Sequence, residues 1–319
     1  MSLSTAWRHS AVLIAVLALG CSTSPEPVPT PAPAPAPAPA TAPAPVPAPA
    51  PAPATSILFI GNSFTYGEPA GAAPLVKSFR PSTVTDLNGS AIGGVPALFK
   101  AMTVQAGLRY DVSLETMPGV GLEAHYDKKL STIAHPYDVV LLQSLSTLDK
   151  ARPGNPELLI KYSGLLAQTF RARNPNVDIR LVATWSRADQ TYKADGAWYG
   201  APIGKMALDV RRGYDAAAAS TGVKVIPVGQ AWNRAFATGV ADANPYDGIN
   251  PGQVNLWAPD AFHGSAHGYY LEALTIFGHV TGRDPRALGA DEPIARAIGI
   301  DAETAGALQR VAAEQLAAH

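Results

Sequence analysis

From Ser56 onward, short apolar runs alternate with longer helical patterns, and this order constrains the fold more than any other feature of the 319-residue chain. Ser56-Ile-Leu-Phe-Ile60 is an apolar run stopped by Gly61, the pattern of a parallel strand buried on both faces. Tyr110–Thr116 alternates apolar and polar residues, and Asp138–Gln143, Ile179–Thr184 and Val223–Val228 supply three more runs. The 3.6-residue period predicts helices over about Val95–Gln105, Leu122–Ile133, Pro156–Arg173, Gly204–Ser220, Ser265–Thr281 and Glu292–Ala318. Strand and helix in alternation predict an α/β fold: a five-stranded parallel sheet with helices on both faces, a three-layer sandwich. Ligands bind such sheets beyond the carboxyl ends of the strands. Residues just after each run are therefore the place to look for chemistry.

The N-terminal sixth of the chain cannot join that sheet. Of 30 prolines, 14 lie between Pro25 and Pro53, mostly alternating with alanine. Proline fixes φ and lacks an N–H, so residues 22–54 read as an extended polyproline spacer rising about 3.1 Å per residue. Before it, Arg8 and His9 precede the apolar run Ala11–Gly20, which suits an export signal and falls short of the roughly 20 residues that span a bilayer. The chain then divides into a signal over 1–21, a linker over 22–54 and one domain over 55–319. With Arg8 and Glu26 set aside, that domain carries 23 basic and 24 acidic side chains. A near-neutral surface offers no strong attraction to nucleic acid or to an anionic membrane. The single cysteine, Cys21, excludes an intrachain disulfide and a thiolate metal cluster. Ala18-Leu-Gly-Cys21 resembles the lipobox of bacterial lipoproteins, although Ala18 stands where leucine is usual. The resemblance implies a lipidated Cys21 and an extracytoplasmic, membrane-anchored domain, with Ser22 favouring the outer membrane. An ordinary secretory signal is the other reading.

Gly61-Asn62-Ser63-Phe64-Thr65 follows the first run. A serine at a strand-to-helix turn can present its hydroxyl where helix N–H groups stabilise an oxyanion. Ser and Asn at such a turn also cap helices, so the block alone leaves both readings open. Near the C-terminus stands Asp260-Ala-Phe-His263. A histidine can accept a serine proton, and a carboxylate on its other ring nitrogen fixes the tautomer and stabilises the imidazolium.

Taken together these blocks resemble the SGNH (GDSL-type) hydrolase superfamily, and more narrowly a bacterial subfamily that opens with G-N-S-F-T. Gly119-Val-Gly-Leu122-Glu-Ala-His125, Val139-Val-Leu-Leu-Gln143 and Asp260-x-x-His263-x-Ser265-x-x-Gly268-x-Tyr270-Leu271 carry the rest of the resemblance, which covers about 56–283. It implies a flavodoxin-like fold and a serine esterase that works through an acyl-enzyme, without metal or nucleotide cofactor. Ser63 is then the nucleophile, His263 the base and Asp260 its orienting carboxylate. The oxyanion hole is formed by the Ser63 and Gly119 N–H groups and a side-chain amide. Gln143 stands where the superfamily has asparagine, one methylene longer. Short acyl esters, acetyl groups on carbohydrate among them, are the implied substrates. A surface-anchored binding lipoprotein that keeps the fold without turnover is the competing reading.

The remaining candidates have bland alternatives. His263 and His267 are four residues apart and could hold zinc, but H-E-x-x-H is absent and His267 shares a helical face with Leu271 and Leu274. His125 either lines the cleft or packs internally. Trp185 and Arg187 follow the fourth run, and Arg187 either meets a substrate carboxylate or is solvated.

Overall fold

The computed structural model describes residues 24, 26–32, 34, 53–68 and 76–318. Cys21 and most of the signal and linker lie outside the described residues. The chain from 53 onward builds a six-stranded, all-parallel sheet of β1 (Thr55–Gly61), β2 (Thr85–Asp86), β3 (Tyr110–Thr116), β4 (Val139–Leu142), β5 (Asp178–Val182) and β6 (Lys224–Ile226), in the order β2-β3-β1-β4-β5-β6. The sixth strand corrects the five-strand expectation: β2 pairs only Thr85 with Ser113 and Asp86 with Leu114, and so short an edge has no apolar run to betray it.

The helices are α1 (Ser63–Tyr66), α2 (Gly94–Gln105), α3 (Leu122–Ile133), α4 (Glu157–Arg173), α5 (Ala188–Tyr192), α6 (Gly204–Thr221), α7 (Val228–Ala237), α8 (Ala266–Thr281), α9 (Pro293–Ala297) and α10 (Ala302–Ala317). The long terminal helix expected over Glu292–Ala318 is two, α9 and α10. Gly299 turns the chain with φ 81, and Asp301 restarts it as an N-cap, its side chain accepting from the Thr304 N–H. Helix α7 starts at Val228, the last residue of the fifth apolar run. None of the helices among the described residues is long and apolar enough to cross a membrane.

Period-two alternation along the strands sorts the core into two layers. Ile57 and Phe59 of β1 join Val139 and Leu141 of β4 on the face covered by α2, α7, α8 and α10. Leu58, Ile60, Val140 and Leu142 face the other layer, under α3, α4 and α6. The chain leaves β1 towards β2 and β3, then crosses back so that β4, β5 and β6 build the other side. The topology therefore reverses beside β1, and its carboxyl end opens onto the crevice where such sheets bind ligands.

Candidate active site

Ser63 lies two residues past that crevice-facing end of β1, and the block around it is built for one sharp turn. A Cβ on Gly61 would lie 2.1 Å from Thr65 Oγ1 and 2.6 Å from Gln143 Oε1, so only glycine fits there. Asn62 caps α1: its Oδ1 accepts from the Phe64 N–H at 3.1 Å. Its Nδ2 donates to the Val120 carbonyl at 2.9 Å and to that of Ser144 at 3.4 Å, tying the turn to the loops after β3 and β4. Gly67 ends α1 in the left-handed region, with φ 74. Helix-capping and nucleophile presentation are thus not alternatives here, because Asn62 does the capping and Ser63 is left at the first helical position.

Gln143 departs from its expected oxyanion role. Its amide oxygen accepts from the Asn62 N–H at 2.8 Å and the Thr65 hydroxyl at 3.0 Å, and its amide nitrogen donates to the Ser144 carbonyl. The side chain is buried beneath the Ser63 turn and holds its shape. The extra methylene that separates glutamine from asparagine lets the amide reach across to Asn62 and Thr65. Gly119 stands exposed at the tip of the loop after β3, next to Pro118, with φ 66. A type II turn needs that sign at its second central residue.

Asp260 and His263 meet as the sequence leads one to expect. Asp260 Oδ1 accepts from the Phe262 and His263 N–H groups at 3.0 and 2.9 Å, and Oδ2 lies 2.6 Å from His263 Nδ1. Ala261 between them has φ 57, a strained conformation for a residue with a Cβ. Burial opposes ionisation of Asp260. The bonds from the His263 ring and from the two backbone N–H groups outweigh it and hold the carboxyl below its ordinary range.

Aromatic contacts bring this loop to Ser63. The Phe64 ring stacks on Trp185 at 4.0 Å and lies 5.5 Å from the Phe262 ring and 5.8 Å from that of His263. Trp185 stacks in turn on Trp232 at 4.5 Å, and its indole N–H donates to the Phe262 carbonyl at 3.3 Å. From α8, the Tyr269 hydroxyl donates to the Glu68 carbonyl at 2.9 Å and lies 3.4 Å from the Ser63 carbonyl oxygen. The loops after β1 and β5 and the loop before α8 thus close on one sheet edge.

Glu68 is a site residue that the sequence did not disclose. Burial alone would raise its carboxyl, but hydrogen bonds from Lys77 and Tyr66 and the charges of Lys77 and His263 hold it below the usual range. The charge of Glu68 thus adds to that of Asp260 in the surroundings of His263. Glu68 lies in no motif, Tyr269 occupies an unspecified position of the terminal block, and no spacing rule connects position 68 with position 263.

The other candidates find partners within the fold. His267 bonds the Asn255 carbonyl, and burial lowers its pKa. Among the described residues no group of three metal-ligating side chains forms. His125 is fully buried, with Nδ1 on the Glu115 carboxylate. Arg187 lies 3.6 Å over the Phe262 ring and is paired with Asp189 at 2.6 Å, so it braces the His263 loop. Tyr270 of the terminal motif bonds Glu292 at 2.9 Å, inside the packing of α8 against α9.

No family model matches this sequence, and no curated protein matches it. Solved structures do. A DUF4886 family protein from Bacteroides uniformis superposes with a TM-score of 0.56 at 18% identity, over 83% of this chain and 95% of that one. A candidate GDSL-like lipase from Parabacteroides merdae superposes at 0.50 and 16% identity, over 72% of this chain and 95% of that one. The fold is that of the SGNH hydrolases. Ser63 stands at the end of β1, and the loop that carries Asp260 and His263 packs against its neighbour Phe64.

Proposed function

We propose that this chain is a serine esterase of the SGNH type that acts through an acyl-enzyme. The observation that carries the reading is the Asp260–His263 hydrogen bond in a loop packed by Phe64, Phe262 and Tyr269 against the Ser63 turn. Ser63 Oγ attacks the ester carbonyl and its proton passes to His263 Nε2. Asp260 holds Nδ1–H and stabilises the imidazolium, and Glu68 adds a second negative charge nearby. The N–H groups of Ser63 and Gly119 receive the charge that develops on the carbonyl oxygen. Collapse expels the alcohol, which takes the proton from His263, and water then releases the acid by the same steps in reverse. No step needs a metal or nucleotide.

Short acyl esters, and acetyl groups on carbohydrate in particular, are the proposed substrates, on the resemblance of the G-N-S-F-T and D-x-x-H blocks. The proposed address is extracytoplasmic, on a lipid anchor at Cys21 and a proline–alanine spacer over 22–54. One observation favours a second reading, a binding lipoprotein without turnover: the Gln143 amide is engaged within the turn, its oxygen with Asn62 and Thr65 and its nitrogen with the Ser144 carbonyl. Covalent labelling with a fluorophosphonate separates the two, because only an activated serine reacts. The esterase reading expects labelling of the wild-type protein and none of Ser63→Ala. A folded wild-type protein that resists the probe would establish the binding reading.

A further inference from the structure

Glu115 and His125 are fully buried polar side chains that this mechanism does not use. Glu115 is the penultimate residue of β3 and His125 lies in the first turn of α3. Both are completely buried, and the His125 Nδ1 is hydrogen-bonded to a Glu115 carboxylate oxygen. The other Glu115 oxygen faces Asn88 Nδ2 at 3.4 Å. Asn88 also donates to the Thr116 carbonyl at 2.8 Å and accepts from Lys129 of α3 at 2.8 Å. His125 Nε2 is buried without a hydrogen-bond partner, so Nδ1 alone fixes the ring.

A buried pair of this kind is poorly explained by stability, because well-packed apolar residues in its place are often as stable or more so. Its position in the chain offers another reason. Between β3 and α3 lies only the loop of residues 117–121, and the Glu115–His125 bond joins the two stems of that loop. Other bonds pin the loop's ends: the Met117 N–H to the Gly61 carbonyl at 3.0 Å, and the Val120 carbonyl to Asn62 at 2.9 Å. Pro118 and Gly119 form the tip between them.

We infer that the Glu115–His125 pair is a positioning clamp that fixes the height of the Gly119 backbone N–H in the oxyanion hole. The inference rests on the esterase reading for its consequence in catalysis, but not for the clamp itself. An oxyanion donor contributes mainly in the transition state, so a loosened clamp lowers kcat and spares KM.

Amide hydrogen exchange of Met117 and of residues 119–121, and ester turnover, are measured together on the full chain. Two variants are compared with wild type. Glu115→Met/His125→Leu keeps the volume, leaves no buried charge and removes the bond. His125→Asn keeps an N–H donor near the place of Nδ1. The double variant is expected to exchange the loop amides about tenfold faster and to lose about tenfold in kcat, with KM within about twofold, part of the loss expected on removing a whole donor. His125→Asn is expected to stay within about threefold of wild type in both readouts. Loop exchange in the folded double variant that stays within about twofold of wild type overturns the clamp, and faster exchange with unchanged kcat overturns its catalytic role. If wild type shows no Ser63-dependent turnover, the esterase reading fails, and the exchange rates alone still decide whether the clamp exists. Should the double variant not fold, Glu115→Gln takes its place. Exchange is expected to rise at least about threefold as the carboxyl partner of His125 becomes an amide, and unchanged exchange overturns the clamp.

Discussion

Gln143 shows how the same amide can serve two purposes that only its neighbours decide. Its oxygen is the acceptor for both the Asn62 N–H and the Thr65 hydroxyl, each buried beneath the Ser63 turn. Gln143→Ala leaves those two donors without a partner, and an unsatisfied buried group costs about 1–3 kcal/mol. The variant is expected to lose about that much stability in urea denaturation, with the loss in activity following from a displaced Ser63. Stability unchanged within about 0.5 kcal/mol would show that the amide does not hold the turn and would restore its candidacy as an oxyanion donor. The sequence could not settle this. Residue type gives an amide its hydrogen-bonding capacity, but its direction depends on Asn62 and Thr65, about eighty positions away. The Asp260–His263 pair was legible for the opposite reason, since three residues of one tight loop suffice to form it.

At the scale of elements, β1 and β4 were readable as apolar runs buried between the two helical layers, β3 by its alternation and β5 by the apolar residues around Arg180. Helix α7 was hidden by its first residue. Val228, Ala231, Trp232 and Ala235 carry the helical period and are all buried, but Val228 also completes the apolar run Val223–Val228. Pro227, which suits the start of a helix, was the available signal that strand and helix divide there. Helix α8 holds an element-scale anomaly. Its buried face includes Glu272, which is fully buried with Oε2 unpartnered, and the titratable groups that feel it are Tyr214 and Tyr269. Burial pushes its carboxyl well above the ordinary 4.5. Above that value the unfolded chain releases a proton that the folded chain keeps. Stability contributed by this group therefore falls as pH rises, by at most about 1.4 kcal/mol per unit. Glutamine cannot ionise, so the advantage of Glu272→Gln over wild type is expected to widen from pH 4.5 to pH 8 in thermal denaturation. A difference that stays constant with pH would mean that Glu272 is already ionised when folded.

At the scale of the whole molecule, the proposed anchor and the catalytic domain are separable. In the proposed arrangement the proline–alanine stretch between 25 and 53 is the spacer between them. Cys21→Ser is expected to move the protein from the membrane fraction to the soluble fraction with its turnover unchanged. Retention of the variant in membranes would refute the lipid anchor and leave the esterase reading intact. That reading depends on a hydroxyl at position 63 meeting a base supplied from the other end of the chain, two hundred residues away. Its most direct test is the rate at which purified Ser63→Ala, shown by circular dichroism to be folded, hydrolyses a short acyl ester beside the wild-type protein. The account expects the wild-type protein to turn over and the variant to keep less than about a hundredth of its rate, since removal of a triad member costs orders of magnitude. A folded variant that retained more than about a tenth of the wild-type rate would contradict it.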